Sequence, residues 1–249
     1  MRNLIKADLD RILRKKSIWI LLVLVLAGAA VTVFDRVLKA PARGAAFAVY
    51  ACESISYLGL IIGFVLVLSV YADDYKSMTL IGVIGQGISR EKFILAKFWD
   101  TVLILTQLYT IAGLFALVLS LVIRAGMDAL DLKYFVLRLF LDLLSAIAAV
   151  TIAGVFFYLT DNTGLGIFAF LSVQVIIPFT LIFSGTLKIL GRFHPERYYL
   201  SELSGNILSD FMIGNTPGGL LKLAGLIAVY MGGAILAAAL VFKRKELDF

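Results

Sequence analysis

The sequence holds one cysteine, Cys52, and one histidine, His194. An internal disulfide is excluded, and no cluster of thiolates or imidazoles can be assembled from this chain for a metal. Cys52 reads as a small apolar side chain in a packed or interfacial position. The G-x-x-x-x-G-K-[ST] loop that cradles nucleotide phosphates is missing, as are H-E-x-x-H and G-x-S-x-G. Charge is scarce too. Asp, Glu, Lys and Arg make up 16% of residues, against roughly a quarter in soluble domains. The formal charge of +6 lies beside hydrophobic runs, which suits anionic lipid and topological anchoring and argues against nucleic acid as a partner.

What is abundant is hydrocarbon. Apolar residues reach 61% and mean hydropathy is +0.98, whereas soluble chains run near roughly 45–50% apolar. Six runs approach the roughly 20 residues needed to cross a bilayer: 18–35, 55–72, 101–123, 139–159, 164–184 and 220–242. The first, preceded by basic residues and containing Ala27 and Ala29, also has the outline of a cleavable signal. The long patterned segment before it favours a retained helix. Arg138 and Asp142, four apart, are placed to pair on one helix face.

Both ends of the chain are basic, RILRKKS before the first run and FKRKE after the last. An even number of spans puts them on one side, and the positive-inside rule makes that side cytoplasmic. Residues 3–16 predict an amphipathic interfacial helix: Leu4, Ile5, Leu9, Ile12, Leu13 and Trp19 recur at spacings of three to four, with Lys6, Asp8, Asp10, Arg11 and Arg14 largely elsewhere.

Between the second and third runs, DDYKSMTLIGVIGQGISREKF (73–93) is too polar to span. Tyr75, Met78, Leu80, Ile81 and Ile84 predict a short helix with an apolar surface, Gly82, Gly85 and Gly87 loosen or end it, and Ser89 with Arg90 and Glu91 predicts a new helix start. Such a module can dock into a cytoplasmic partner or lie on lipid headgroups. On the opposite side, residues 200–213 predict one or two short surface helices ended by Gly214, Pro217, Gly218 and Gly219, with Tyr198 and Tyr199 as interfacial anchors.

Ionisable groups are nearly absent from the middle of the runs. The polar residues at depth are Gln107, Thr151, Tyr158 and Gln174, which serve either as hydrogen-bonding partners between helices or as the lining of a translocation path. Gly59 and Gly63 make a Gly-x-x-x-Gly step. Gly28, Ala29, Ala30, Gly225, Gly232 and Gly233 offer further close-approach surfaces. Pro178 predicts a kink or weakening of the fifth span.

Over nearly its whole length the chain resembles the permease subunit of ATP-binding-cassette transporters of the second type. NLIKADLDRILRKKSIWILL is similar to the family's elbow helix and first span, and YADDYKSMTLIGVIGQGISREKFILAKF to its coupling segment. Gly87, Ser89, Arg90 and Lys97 match the family's turn and following basic helix. Asp73 or Asp74 stands where the family commonly has a glutamate.

The resemblance implies an all-α polytopic membrane protein, one permease domain over 1–249, with six transmembrane helices, an N-terminal interfacial elbow helix and a cytoplasmic coupling helix. It implies that Asp73, Asp74, Tyr75, Met78, Leu80, Ile81, Ile84, Gly87, Ser89, Arg90 and Lys97 couple to an ATP-binding subunit, in a bacterial cell membrane. That subunit would hold ATP and Mg; this chain would hold no cofactor and carry no enzymatic activity. A second permease copy or a related permease would complete the path, for export of a drug, an antimicrobial peptide or a lipid-like substrate. An ion-driven carrier and a non-transporting scaffold or sensor are the rival expectations.

Overall fold

The computed structural model describes residues 2–39, 44–72, 85, 87–160, 162–180, 199–213 and 217–244. All regular structure in them is helical: α1 (Arg2–Leu13), α2 (Lys16–Lys39), α3 (Ala45–Leu66, continued by a π-helical turn Val67–Ala72), α4 (Arg90–Val122), α5 (Ala129–Thr160), α6 (Thr163–Leu171, continued by a π-helical turn Ser172–Ile176), α7 (Leu200–Ile213) and α8 (Pro217–Arg244). Six are long and apolar enough to cross a membrane: Ile18–Asp35, Ala45–Tyr71, Arg90–Val122, Ala129–Thr160, Thr163–Thr180 and Leu221–Phe242. The chain is a multi-pass membrane protein.

Three spans begin well before their hydrophobic runs, at Ala45, Arg90 and Ala129 rather than near residues 55, 101 and 139. The helix includes polar residues whose charges find partners inside the protein, so a hydropathy window stops where the backbone does not. Three helix starts are fixed by local caps. Ser89 caps α4 in an extended conformation, and its hydroxyl accepts from the Lys92 amide at 3.4 Å. Asp128 accepts from the Asp131 amide at 2.7 Å while Asp131 accepts in return from the Asp128 amide at 3.2 Å, a reciprocal cap that satisfies two orphan donors at the start of α5. Asn162 caps α6 by accepting from the Gly164 amide at 2.8 Å.

Helix α5 is the centre of the bundle. It packs against α8, α3, α6, α4 and α7, and its buried residues include a run of small ones, Ala146, Ala148, Ala149, Ala153 and Gly154. Small residues let helices approach closely where lipid offers no hydrophobic drive for association. Beside Gly154 the gap is filled by the ring of Tyr71, whose Cε1 lies 2.8 Å from where a Cβ would sit.

The Gly-x-x-x-Gly step of α3 works in the same way. A Cβ at Gly59 would collide with the Tyr109 hydroxyl of α4, and one at Gly63 with the Phe170 ring of α6. These glycines are sockets for aromatic rings. Gly28, Gly225, Gly232 and Gly233, expected to mediate similar approaches, have nothing within 4 Å of a built Cβ.

Pro178 leaves its mark one turn earlier. The widened turn at Ser172–Ile176 carries a bond from the Ile177 amide to the Ser172 carbonyl, five residues back, so the helix accommodates the missing proline donor by widening. Pro217, Gly218 and Gly219 open the last helix instead of closing the preceding one. Proline at a first helical position wastes no donor and presets φ. Residues 200–213 form one helix, held by Leu203, Ile207 and Leu208 against Leu141 and Ala148 of α5 and Leu223 of α8. Tyr199, just before it, is half-buried; burial first, then the neighbouring Tyr230, push its phenol above the usual value. Tyr198 and His194 lie outside the described residues.

Helix α4 ends without glycine: Arg124 takes φ 51°, followed by Gly126 at φ 64°. The Gly44 amide donates to Ala125 O at 2.7 Å, tying this turn to the start of α3. A left-handed residue with a Cβ costs roughly 1–2 kcal/mol, offset in part by the larger unfolded-state entropy of glycine. Arg124→Gly is therefore expected to raise the unfolding midpoint slightly, by up to about 1 kcal/mol of stability, and Gly126→Val to lower it; thermal unfolding in detergent reads both.

Candidate functional site

At one end of the bundle, the start of α4 meets α1, the last turn of α8 and the π-helical end of α3. Lys97 is the centre of this junction. Its side chain is 2% exposed, and Nζ lies 2.7 Å from Asp8 Oδ2 on α1 and 4.0 Å from Asp100 Oδ2 one turn along α4. Asp8 also meets Arg11 Nη2 at 3.3 Å within α1. The ammonium sits 5.3 Å from the Phe93 ring centroid, in reach of its negative face. Lys97 and Asp100 are both fully buried, as is Thr101, whose hydroxyl donates to the Lys97 carbonyl at 3.0 Å.

Two turns earlier on the same helix, Arg90 Nη1 donates to the Phe242 carbonyl at 2.8 Å. Its guanidinium carbon lies 5.6 Å from the Phe242 ring centroid. A cation at the carbonyl-rich end of another helix completes orphan acceptors and opposes the negative end of its dipole. Phe242 continues into an aromatic chain: its ring centroid is 6.3 Å from that of Phe93 and 5.2 Å from that of Tyr158, and Tyr158 is 5.8 Å from Tyr71 in an edge-on arrangement. Positions 90 and 97 are seven apart and so share a face. One face of α4 thus holds α8 through Arg90 and α1 through Lys97.

The sequence-derived coupling candidates divide across this junction. Asp73, Asp74, Tyr75, Met78, Leu80, Ile81 and Ile84 lie outside the described residues. Gly87 is a turn residue with φ 85° two residues before the Ser89 cap, and Arg90 and Lys97 are at the junction itself. Of the polar residues at depth, Gln107 is exposed on α4, Gln174 is half-buried in the π-helical turn of α6, and Thr151 and Tyr158 are buried on α5. Thr151 donates to the Ile147 carbonyl at 2.7 Å, a bond within its own helix.

Asp8 is the correction to the amphipathic reading of α1. It was expected away from the apolar face, yet its side chain is 13% exposed and pairs inward with Lys97, beside the fully buried Ile12. Trp19 is not on that face; it follows the break at residues 14–15, and its indole donates to Leu13 O at 2.6 Å across it. The signal that could have found the junction is the i, i+3 spacing of Lys97 and Asp100 within FILAKFWDT, where opposite charges stand among residues that otherwise belong in a core.

A second polar cluster joins α3 to α5. The expected Arg138–Asp142 pair is formed, with Nε 3.4 Å from Oδ2, and Ser56 of α3 donates to the same carboxylate oxygen at 2.5 Å. Cys52, buried as expected, directs its thiol to Phe135 O at 3.9 Å. This cluster ties two spans together. Comparison with known protein families returns no match for the chain, and neither does comparison with characterised proteins. The sequence and the helices together identify it as a polytopic membrane protein, with six membrane-length helices and only helical regular structure among the described residues.

Proposed function

We propose that this chain is the permease subunit of an ATP-driven exporter of the ATP-binding-cassette second type, coupled to a separate ATPase through a coupling helix over residues 75–88. The observation that carries the reading is the double tether on α4. The Gly87–Arg90 turn leads straight into a helix that holds α8 by Arg90 and α1 by Lys97. A partner gripping the segment between α3 and α4 would thus act on several helices at once. α1 is read as the elbow helix, with both chain ends on the cytoplasmic side. ATP and Mg belong to the partner, and a second copy or a related permease completes the path. Drugs, antimicrobial peptides and lipid-like molecules are the substrate classes that suit the largely apolar spans.

Arg90→Glu places a carboxylate against the carbonyl end of α8. It is expected to lower substrate-stimulated ATPase activity of the assembled transporter by about fivefold or more while basal ATPase and membrane assembly persist. Purification from native membranes in mild detergent tests the partner directly: a stoichiometric soluble protein with a G-K-[ST] phosphate loop is expected. An intact chain recovered alone that transports under a pH or sodium gradient without ATP would replace this reading with an ion-driven carrier. Partner binding without flux under any condition would point to a scaffold or sensor.

A further inference from the structure

We infer that Lys97 is the pivot of an ion-pair exchange that docks and releases α1. The inference concerns the membrane chain itself and holds whatever drives the motion. Among the described residues, Lys97 has two carboxylates in range at unequal distances and on different helices: Asp8 of α1 in direct hydrogen-bond contact at 2.7 Å, and Asp100 of its own helix at 4.0 Å. The longer distance is an ion pair without a direct hydrogen bond from that nitrogen. A small rotation about the lysine side chain shortens it and lengthens the first.

The charges balance in both arrangements. With α1 docked, Lys97 serves Asp8. With α1 released, Lys97 closes on Asp100, while Asp8 keeps Arg11, which already lies 3.3 Å away within the same helix. In the docked arrangement Asp100 keeps the ammonium at ion-pair range, 4.0 Å, and in the released one Asp8 keeps Arg11, which favours a two-state element with a small free-energy gap. The Phe93 ring, 5.3 Å from the ammonium, faces it during the transfer and lies on α4, so the cation stays with α4 in both states. The helix that moves is α1, whose packing residue Ile12 is fully buried when docked.

The sole cysteine makes the exchange measurable. In a Cys52→Ala background the chain has no other thiol, and Ile12→Cys puts a reporter under α1. The rate of its reaction with a water-soluble maleimide in proteoliposomes reads the released fraction. Asp8→Asn is expected to raise that rate by about tenfold or more. Asp100→Asn is expected to lower it several-fold, because the ammonium has lost its second acceptor. A static clamp predicts no slowing with Asp100→Asn, so an unchanged or faster rate, at an unchanged unfolding temperature, overturns the exchange. So does an unchanged rate with Asp8→Asn. Should Asp100→Asn not be recovered folded, Lys97→Arg decides. Its fork can engage both carboxylates together and should slow labelling; labelling at the parent rate or faster overturns the inference.

Discussion

Lys97→Met is expected to destabilise the folded chain by about 3–5 kcal/mol, the usual cost of removing one member of a buried ion pair. The methionine fills much of the lysine volume, so the loss is electrostatic. It leaves Asp100, fully buried, and Asp8, 13% exposed at its side chain, without the ammonium between them. The control is the fully neutral cluster, Asp8→Asn with Lys97→Met and Asp100→Asn, which should recover most of the loss, since replacing a whole buried ionic group is often near neutral. Thermal unfolding in detergent, followed by size-exclusion retention, measures both. A Lys97→Met protein within about 0.5 kcal/mol of the parent, the range of ordinary surface substitutions, would show that the ammonium has no stabilising role.

Gly63→Val should cost about 3 kcal/mol, at the upper end for forcing extra atoms into a packed core. The new Cβ falls well inside van der Waals contact of the Phe170 ring edge, with Cε2 at 2.7 Å, and Phe170 is itself fully buried. Gly28→Val is the matched comparison. It adds the same atoms to a span where nothing lies within 4 Å, and should leave the unfolding temperature nearly unchanged. Phe170→Ala should restore part of the Gly63→Val loss, because the void it opens accepts the valine. Equal effects at Gly63 and Gly28 would mean that helix propensity, and not the socket, sets the value of these glycines.

The six spans were legible because hydropathy depends on composition over a window, which the bilayer imposes directly. The Ser89 start and the Arg138–Asp142 pair were legible because both are local, resting on spacings of three and four. What could not be read was the partner of each long-range contact. Asp8 and Lys97 are 89 residues apart, Arg90 and Phe242 are 152 apart, and no local pattern announces either. The same gap explains the glycines. Gly59 and Gly63 look no different in sequence from Gly225 and Gly232, yet only the first two receive a ring. The helix starts at Ala45 and Ala129 were missed because the charges that follow them argued for water, although Arg138 and Asp142 on the second of these helices pair with each other.

The two glycine sockets and the Tyr71 pin have a mechanical consequence for α3. Gly59 and Gly63 accept rings from α4 and α6, while Tyr71, about 12 Å beyond Gly63 at 1.5 Å per residue, inserts its own ring beside Gly154 of α5. A rod keyed at two separated points loses both rotation about its axis and translation along it. Either motion must drive an aromatic ring out of its seat. Helix α3 is therefore constrained to tilt together with α4, α5 and α6 as one block.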